Sequence, residues 1–140
     1  MKEVSEKEMD PQPEYLKKGY KGSEKLKDKV AIITGGDSGI GKAISILFAA
    51  EGASVLFTYH SSDKDAKKTL AEVKKYGNPC AMIQGDLSDS KHSKEIVDKA
   101  ISEFGKIDIV INNAAVQFPQ DSLTDITDEQ IQKTFATNIF

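Results

Sequence analysis

The chain has 140 residues, a formal net charge of −3 and a hydrophobic share of 39%. That is enough for one ordinary domain of globular composition. The slight acidity supplies no basic footprint for nucleic acid, and no apolar run approaches the roughly 18 residues of a membrane span. The single cysteine, Cys80, excludes an internal disulfide, and the charged N-terminus shows no secretory signal. The expectation is a cytoplasmic protein without nucleic-acid or membrane partners.

Residues 1–28 are charged, mixed in sign and poor in large apolar groups, with Pro11 and Pro13 breaking any helix. Composition favours a solvated leader. Tyr15, Leu16 and Tyr20 offer the alternative of an extended arm pinned to the body or to a neighbouring subunit.

From Lys29 onward, strand and helix alternate through residue 140. Lys29–Thr34 reads as a buried strand, and Ile40–Glu51 as an amphipathic helix stopped by Gly52. Ser54–Tyr59 is a second strand. A helix capped by Ser61 or Ser62 runs to Tyr76, turning Ala66, Leu70 and Val73 inward, and Gly77 closes it. Cys80–Gln84 is a third buried strand, which makes Cys80 an inert core thiol. A helix capped by Ser88 or Asp89 carries Ile96, Val97, Ala100, Ile101 and Phe104 and stops at Gly105. Its first-turn residue His92 is expected at the surface. Ile107–Ile111 is a fourth strand, and Thr127 with Gln130 forms a capping box for a last helix. This βαβ rhythm predicts a doubly wound parallel sheet covered on both faces, with ligands bound beyond the C-terminal strand ends.

The stretch Thr34-Gly35-Gly36-Asp37-Ser38-Gly39-Ile40-Gly41 lies at the first strand-to-helix junction. Gly35 suits a tight turn, Gly39 presents no side chain to a diphosphate, and Gly41 permits close approach of the first helix turn. Glycine-rich turns also occur without ligands, so the loop alone leaves both readings open. At the second strand's end, Tyr59-His60-Ser61-Ser62 holds no acid to engage a ribose 2′-hydroxyl, and Asp63 comes late. No arginine grips a 2′-phosphate; His60 and Lys64 are its possible partners. Asp86 is either a helix cap or a ligand contact. Asn113, Ala114 and Ala115 are either a strand-end turn or part of the binding rim. Asn138 shares a helix face with Ile131 and Phe135, where its amide needs partners. No His/Cys/Asp spacing suggests a metal.

Together these motifs resemble the short-chain dehydrogenase/reductase family over about Lys29 to Phe140. The glycine loop matches T-G-x-x-x-G-I-G, Asp86-Leu87 follows the third strand, Asn112-Asn113-Ala114-Ala115 matches N-N-A-G with one change, and Asn138 falls in the following helix. The leader resembles that of bacterial oxidoreductases of this family with an N-terminal extension. The resemblance implies a Rossmann-type fold, truncated after the helix that follows the fourth strand. Residues 1–28 form the extension and 29–140 the N-terminal part of an NAD(P)-binding domain.

It also implies roles. Gly35, Asp37, Ser38, Gly39, Ile40 and Gly41 would hold the diphosphate side of NAD or NADP, with a mild lean to NADP, and Tyr59 would border the ribose. Asp86 and Leu87 would meet adenine, and Asn113, Ala114 and Ala115 a ribose. Thr34 would tie the glycine loop to Asn112–Ala115. Asn138 would contribute to catalysis through a carbonyl that holds a proton-relay water. The family's serine and Tyr-x-x-x-Lys do not occur here. The expected activity is hydride transfer between an alcohol and a carbonyl by the full-length protein, a homo-oligomer of dimeric or tetrameric type, with this chain inactive alone. The alternative is a non-catalytic NAD(P)-binding sensor or scaffold.

Overall fold

A computed structural model describes residues 8–139 of the chain. The elements follow in the order β1 (Val30–Ile33), α1 (Gly39–Ala50), β2 (Ser54–Tyr59), α2 (Asp63–Lys74), β3 (Cys80–Gln84), α3 (Ser90–Phe104), β4 (Ile109–Ile111) and α4 (Asp128–Asn138), with a short 3-10 turn at Leu123–Asp125 before α4. The four strands are all parallel, in the spatial order β3-β2-β1-β4. Strand order therefore reverses direction between β1 and β4, the position where open α/β sheets bind ligands.

The apolar runs explain the layers. β1 and the residues Val55–Tyr59 of β2 are buried on both faces, so they read as continuous hydrophobic sequence rather than alternation. One face packs Ile33, Val55 and Phe57 against Ile46 and Ala49 of α1 and Val73 of α2. The other packs Ile32 and Leu56 against Ile96 and Ala100 of α3. β3 lies at the sheet edge and is only partly buried, a correction to its expected full burial. Cys80 is accordingly half-buried, and that burial raises its thiol pKa, which keeps it protonated and unreactive.

The helix ends follow local chemistry. Asp89 caps α3 by accepting Lys91 N–H, and Gly105 ends it at φ 79°. The Thr127–Gln130 capping box on α4 is formed in both directions. Ser62 stands at the N-cap of α2, but its hydroxyl donates to Asp65 at 2.6 Å instead of receiving a backbone N–H. α2 stops at Lys74 rather than Tyr76, because Tyr76 and Gly77 bond three residues back to Val73 and Lys74 in a tightened turn. β4 begins at Ile109 rather than Ile107, because the Asp108 carboxylate takes the Val30 N–H at 2.8 Å just before the ladder starts.

The described part of the leader lies on the body. Tyr15, Leu16 and Leu26 pack against the larger core cluster, and Lys42 sits 4.1 Å over the Tyr15 ring. The buried Glu51 carboxylate accepts the Tyr20 hydroxyl, Ser23 N–H at 2.9 Å and Lys25 N–H at 3.2 Å. Gly22 passes so close to α1 that a Cβ there would stand 1.9 Å from Ala50 O. The solvated-leader expectation is thus corrected over these residues; residues 1–7 lie outside those described.

Candidate functional site

A cleft of about 710 Å³ opens at the C-terminal ends of β1, β2 and β3. Its walls include Gly35, Asp37, Ser38, Gly39 and Ile40 from the glycine loop, Tyr59 from β2, Asp86 and Leu87 after β3, and Asn113, Ala114 and Ala115 after β4. Gly41 stands behind the wall, and Asn138 lines a neighbouring cavity of about 330 Å³.

Backbone conformation and clearance separate the glycines by role. Gly35 has φ 65° and Gly39 has φ 50°, conformations that L side chains rarely adopt. A Cβ on Gly39 would meet nothing within 4 Å, so that residue faces open space. A Cβ on Gly41 would fall 2.1 Å from Gly35 O and 2.6 Å from Asn113 Nδ2, so its bareness lets helix and loop touch. Gly36, to which the sequence analysis assigned no role, is equally constrained: a Cβ there would lie 2.5 Å from Phe57 Cβ.

The loop is anchored from both neighbouring strands. Gly35 N–H donates to Thr58 Oγ1 at 3.1 Å and Gly36 N–H to Thr58 O at 2.8 Å. From the other side, Thr34 Oγ1 accepts the N–H groups of Asn113 at 2.9 Å and Ala114 at 3.0 Å. Asn113 Nδ2 returns donors to Thr34 O at 2.9 Å and Gly35 O at 3.2 Å. The connection between Thr34 and the Asn112–Ala115 segment is present, and both Asn113 amide hydrogens are engaged within it. The Ser38 side chain does not cap α1, and no acidic residue occupies the helix's first turn. The first-turn N–H groups and the positive helix end therefore suit an anion.

The opposite wall is polar. Asp86 Oδ1 accepts Ser88 N–H at 2.9 Å and the Ser88 hydroxyl at 2.7 Å, and His60 Nε2 lies 3.7 Å from Asp86 Oδ2. The Ser88 hydroxyl, then its backbone N–H, hold the Asp86 carboxyl below the usual range, with His60 and Lys133 adding to the effect. Asp86 is therefore an ionised acceptor, and it also organises the turn before α3. Tyr59 is buried; its hydroxyl donates to Asp63 at 3.0 Å. Burial and then Asp63 raise the Tyr59 pKa, so its phenol stays protonated. Asp63 in turn pairs with Lys67 at 2.7 Å.

Some lining residues were missed by sequence reasoning. Gly85, Lys133 and Thr137 line the cleft. Gly85 immediately precedes Asp86, a glycine at a strand end that the pattern did show. Lys133 and Thr137 are brought there only by the return of α4. His92, expected at the surface, is 5% exposed. Its correction has a physical cause: the missing side chain of Gly85 makes room for the ring.

Asn138 closes the far end. Its Oδ1 accepts Val116 N–H and its Nδ2 donates to Val116 O, each at 2.9 Å. Among the described residues, no group of three or more His, Cys, Asp or Glu side chains is placed to hold a metal, and no helix is long and apolar enough to cross a membrane.

The family model described as short chain dehydrogenase matches residues 29–140. General stress protein 39 of Bacillus subtilis is 46% identical over 135 residues, covering 96% of this chain and 47% of that protein. NADPH-dependent aldehyde reductase 1 of Arabidopsis thaliana, a chloroplastic protein, is 42% identical over 139 residues, covering 94% of this chain and 48% of that protein. A short-chain dehydrogenase from Burkholderia cenocepacia, solved in complex with NADP, superposes with a TM-score of 0.78 at 38% identity, covering 81% of this chain and 46% of that one. The chain spans about half the length of the curated relatives it matches.

Proposed function

This chain belongs to the short-chain dehydrogenase family, and from that premise we propose that it is the cofactor-binding half of an NAD(P)-dependent oxidoreductase that interconverts an alcohol and a carbonyl. The observation that carries this reading is the start of α1, where the Ser38 side chain makes no cap, at a cleft at the sheet's reversal point, with room beside the Cα of Gly39. Residues 29–140 form the N-terminal part of the nucleotide-binding domain, and residues 1–28 are an extension whose stretch from Tyr15 to Leu26 docks on it. The protein works in the cytoplasm as a dimer or tetramer.

Gly35, Asp37, Ser38, Gly39 and Ile40 hold the diphosphate side, with Gly41 keeping the helix close. Asp86, ionised, accepts a hydrogen bond from the adenine amino group, and Leu87 offers its backbone N–H. Asn113, Ala114 and Ala115 border a ribose, and Tyr59 supports the opposite ribose edge. Asn138 holds the segment after β4 in position, and its carbonyl holds the water that relays protons in catalysis. When bound, the nicotinamide ring supplies the hydride chemistry.

Both cofactors are accepted, with a mild preference for NADP. The Asp63 carboxylate is engaged by Tyr59 and Lys67, so no free acid stands at the end of β2 to repel a 2′-phosphate. The NADP complex of the Burkholderia cenocepacia structure and the NADPH dependence in the name of the Arabidopsis thaliana relative support the same lean.

Titration of the full-length protein with NADPH and NADH, followed by a panel of carbonyl substrates, tests this. Binding of both, tighter for NADPH, with turnover of a carbonyl is expected. Binding without turnover of any carbonyl favours a sensor or scaffold, and failure to bind either dinucleotide removes the proposal.

A further inference from the structure

We propose that His92 is a positioning residue for the adenine side of the cleft: its buried ring sets where Gly85, Asp86 and Leu87 stand. The inference rests on the dinucleotide reading above and adds a residue to it.

His92 occupies the first turn of α3, and its own N–H bonds to Asp89 O at 3.0 Å. The ring turns inward. Nδ1 lies 3.1 Å from Glu95 Oε2, one turn along the helix, and this contact fixes the orientation of the imidazole plane. Nε2 is buried and has no protein partner. A Cβ on Gly85 would fall 2.1 Å from both Cε1 and Nε2 and 2.4 Å from Cδ2. The free edge of the ring thus fills the volume that a side chain at position 85 would need.

Gly85 is held from a second direction, because its N–H donates to Tyr59 O at 3.0 Å. The peptide is clamped between the end of β2 and the imidazole edge. The two residues that follow have little freedom of their own. Asp86 is closed onto Ser88 by two hydrogen bonds, and Leu87 packs on the smaller core cluster beside Ile96. These contacts and the clamp on Gly85 together set where the segment stands, so a shift of Gly85 strains its join to Asp86 and Leu87, and all three residues line the cleft.

A buried nitrogen without a partner is costly, so an apolar side chain would serve a purely structural core better. What an aliphatic side chain lacks is a flat edge held at one angle by a polar anchor. That combination lets the ring approach a bare Cα without displacing it, and it places a cleft wall rather than merely filling space.

The test uses the full-length protein with His92→Ala, His92→Phe, Gly85→Ala and the double variant Gly85→Ala/His92→Ala. The probes are NADPH and ADP-ribose, which carries the adenosine, diphosphate and second ribose without the nicotinamide. His92→Ala is expected to raise the ADP-ribose Kd and the NADPH KM about tenfold, the scale of a sub-ångström misplacement, while kcat at saturating cofactor holds. Gly85→Ala should bind worse still, and the double variant better than Gly85→Ala, since the new Cβ then takes the space the ring has left. His92→Phe, which keeps a ring there, should bind closer to wild type than His92→Ala does.

Unchanged ADP-ribose binding in His92→Ala would overturn the positioning role, as would effects of the two alanine variants that simply add. If His92→Ala does not fold, the role still falls should His92→Phe bind as poorly as Gly85→Ala. A wild-type protein that binds neither probe removes the dinucleotide reading and this inference together. Wild-type binding with an unaffected variant removes this inference alone.

Discussion

Asn138 and Val116, 22 residues apart, form a closed amide pair in which each donates one hydrogen bond and accepts another. A side-chain carboxamide here imitates a strand neighbour. It pins the loop after β4 to the end of α4, and the same loop begins with the Asn113–Ala114 contacts to Thr34. The helix thereby reports on the glycine turn through two short links.

Replacing Asn138 with Leu breaks both bonds. At about 1 kcal/mol net for each, the loss in unfolding free energy should be about 1–2 kcal/mol, measured by urea denaturation. Asn138→Asp should be at least as damaging, because a carboxylate cannot donate to Val116 O. Equal stability of all three proteins would show that the pair contributes nothing.

Gly39 and Gly41 should separate binding from packing. Gly41→Ala forces a Cβ into Gly35 O and Asn113 Nδ2, so it should cost about 1–3 kcal/mol of stability by overpacking and disturb the loop as well. Gly39→Ala meets no atom and should cost about 1–2 kcal/mol from its positive φ alone. Yet its methyl group faces the cleft, so dinucleotide affinity should fall far more than stability does. Calorimetric binding beside thermal melts distinguishes the two. A Gly39→Ala protein that binds NADPH as wild type does would place the diphosphate elsewhere.

Local signals carried most of the architecture. β2 and β3 have the bounds that their apolar runs indicate, and the Thr127–Gln130 box marks the start of α4. Strand-end motifs were legible because a parallel sheet sends every strand's C-terminus to one rim. What was not legible depends on pairs distant in sequence or on the neighbour an element lacks. His92 has the local setting of a solvated first-turn residue, and only the empty Cα of Gly85 across the loop makes room for it. Tyr20 was legible as a candidate anchor of the arm, but its acceptor, Glu51, lies 31 residues away and only the fold brings it there. β3 has a buried strand's composition, but its edge position leaves it partly exposed.

Docking of the leader should depend on acid. The Tyr20 hydroxyl, then the Ser23 N–H, lower the Glu51 pKa from 4.5 to about 2. A depressed carboxyl stabilises the docked form fully above the pKa it has when released. That contribution fades as pH falls from about 4.5 toward about 2, where Glu51 protonates even when docked. Proteolysis after the lysines of residues 17–25 should be slow at pH 7 and faster in Glu51→Gln, which keeps the shape but not the charge. Using an acid-active protease, cleavage of the wild type should accelerate across the same pH window while Glu51→Gln changes little. Equal cleavage of both proteins at pH 7 would mean that Glu51 does not retain the leader.

The 140-residue chain by itself should associate and should not turn over substrate. Val97 of α3 and Val110 of β4 are 45% and 53% exposed, and both line the smaller cavity with Ile32 and Ile139. Phe135 of α4 is 48% exposed. Apolar groups clustered beside an edge strand are normally covered by further sheet or by another subunit. β4 also leaves one side of its ladder unpaired among the described strands. Size-exclusion chromatography with light scattering should show concentration-dependent association, and Val110→Lys should reduce it by placing a charge on the edge. Carbonyl reduction should be absent at every concentration. A monodisperse monomer, or measurable turnover by this chain alone, would contradict the expectation, and turnover would further require an acid–base group from within these residues, where Tyr59 is held protonated and buried.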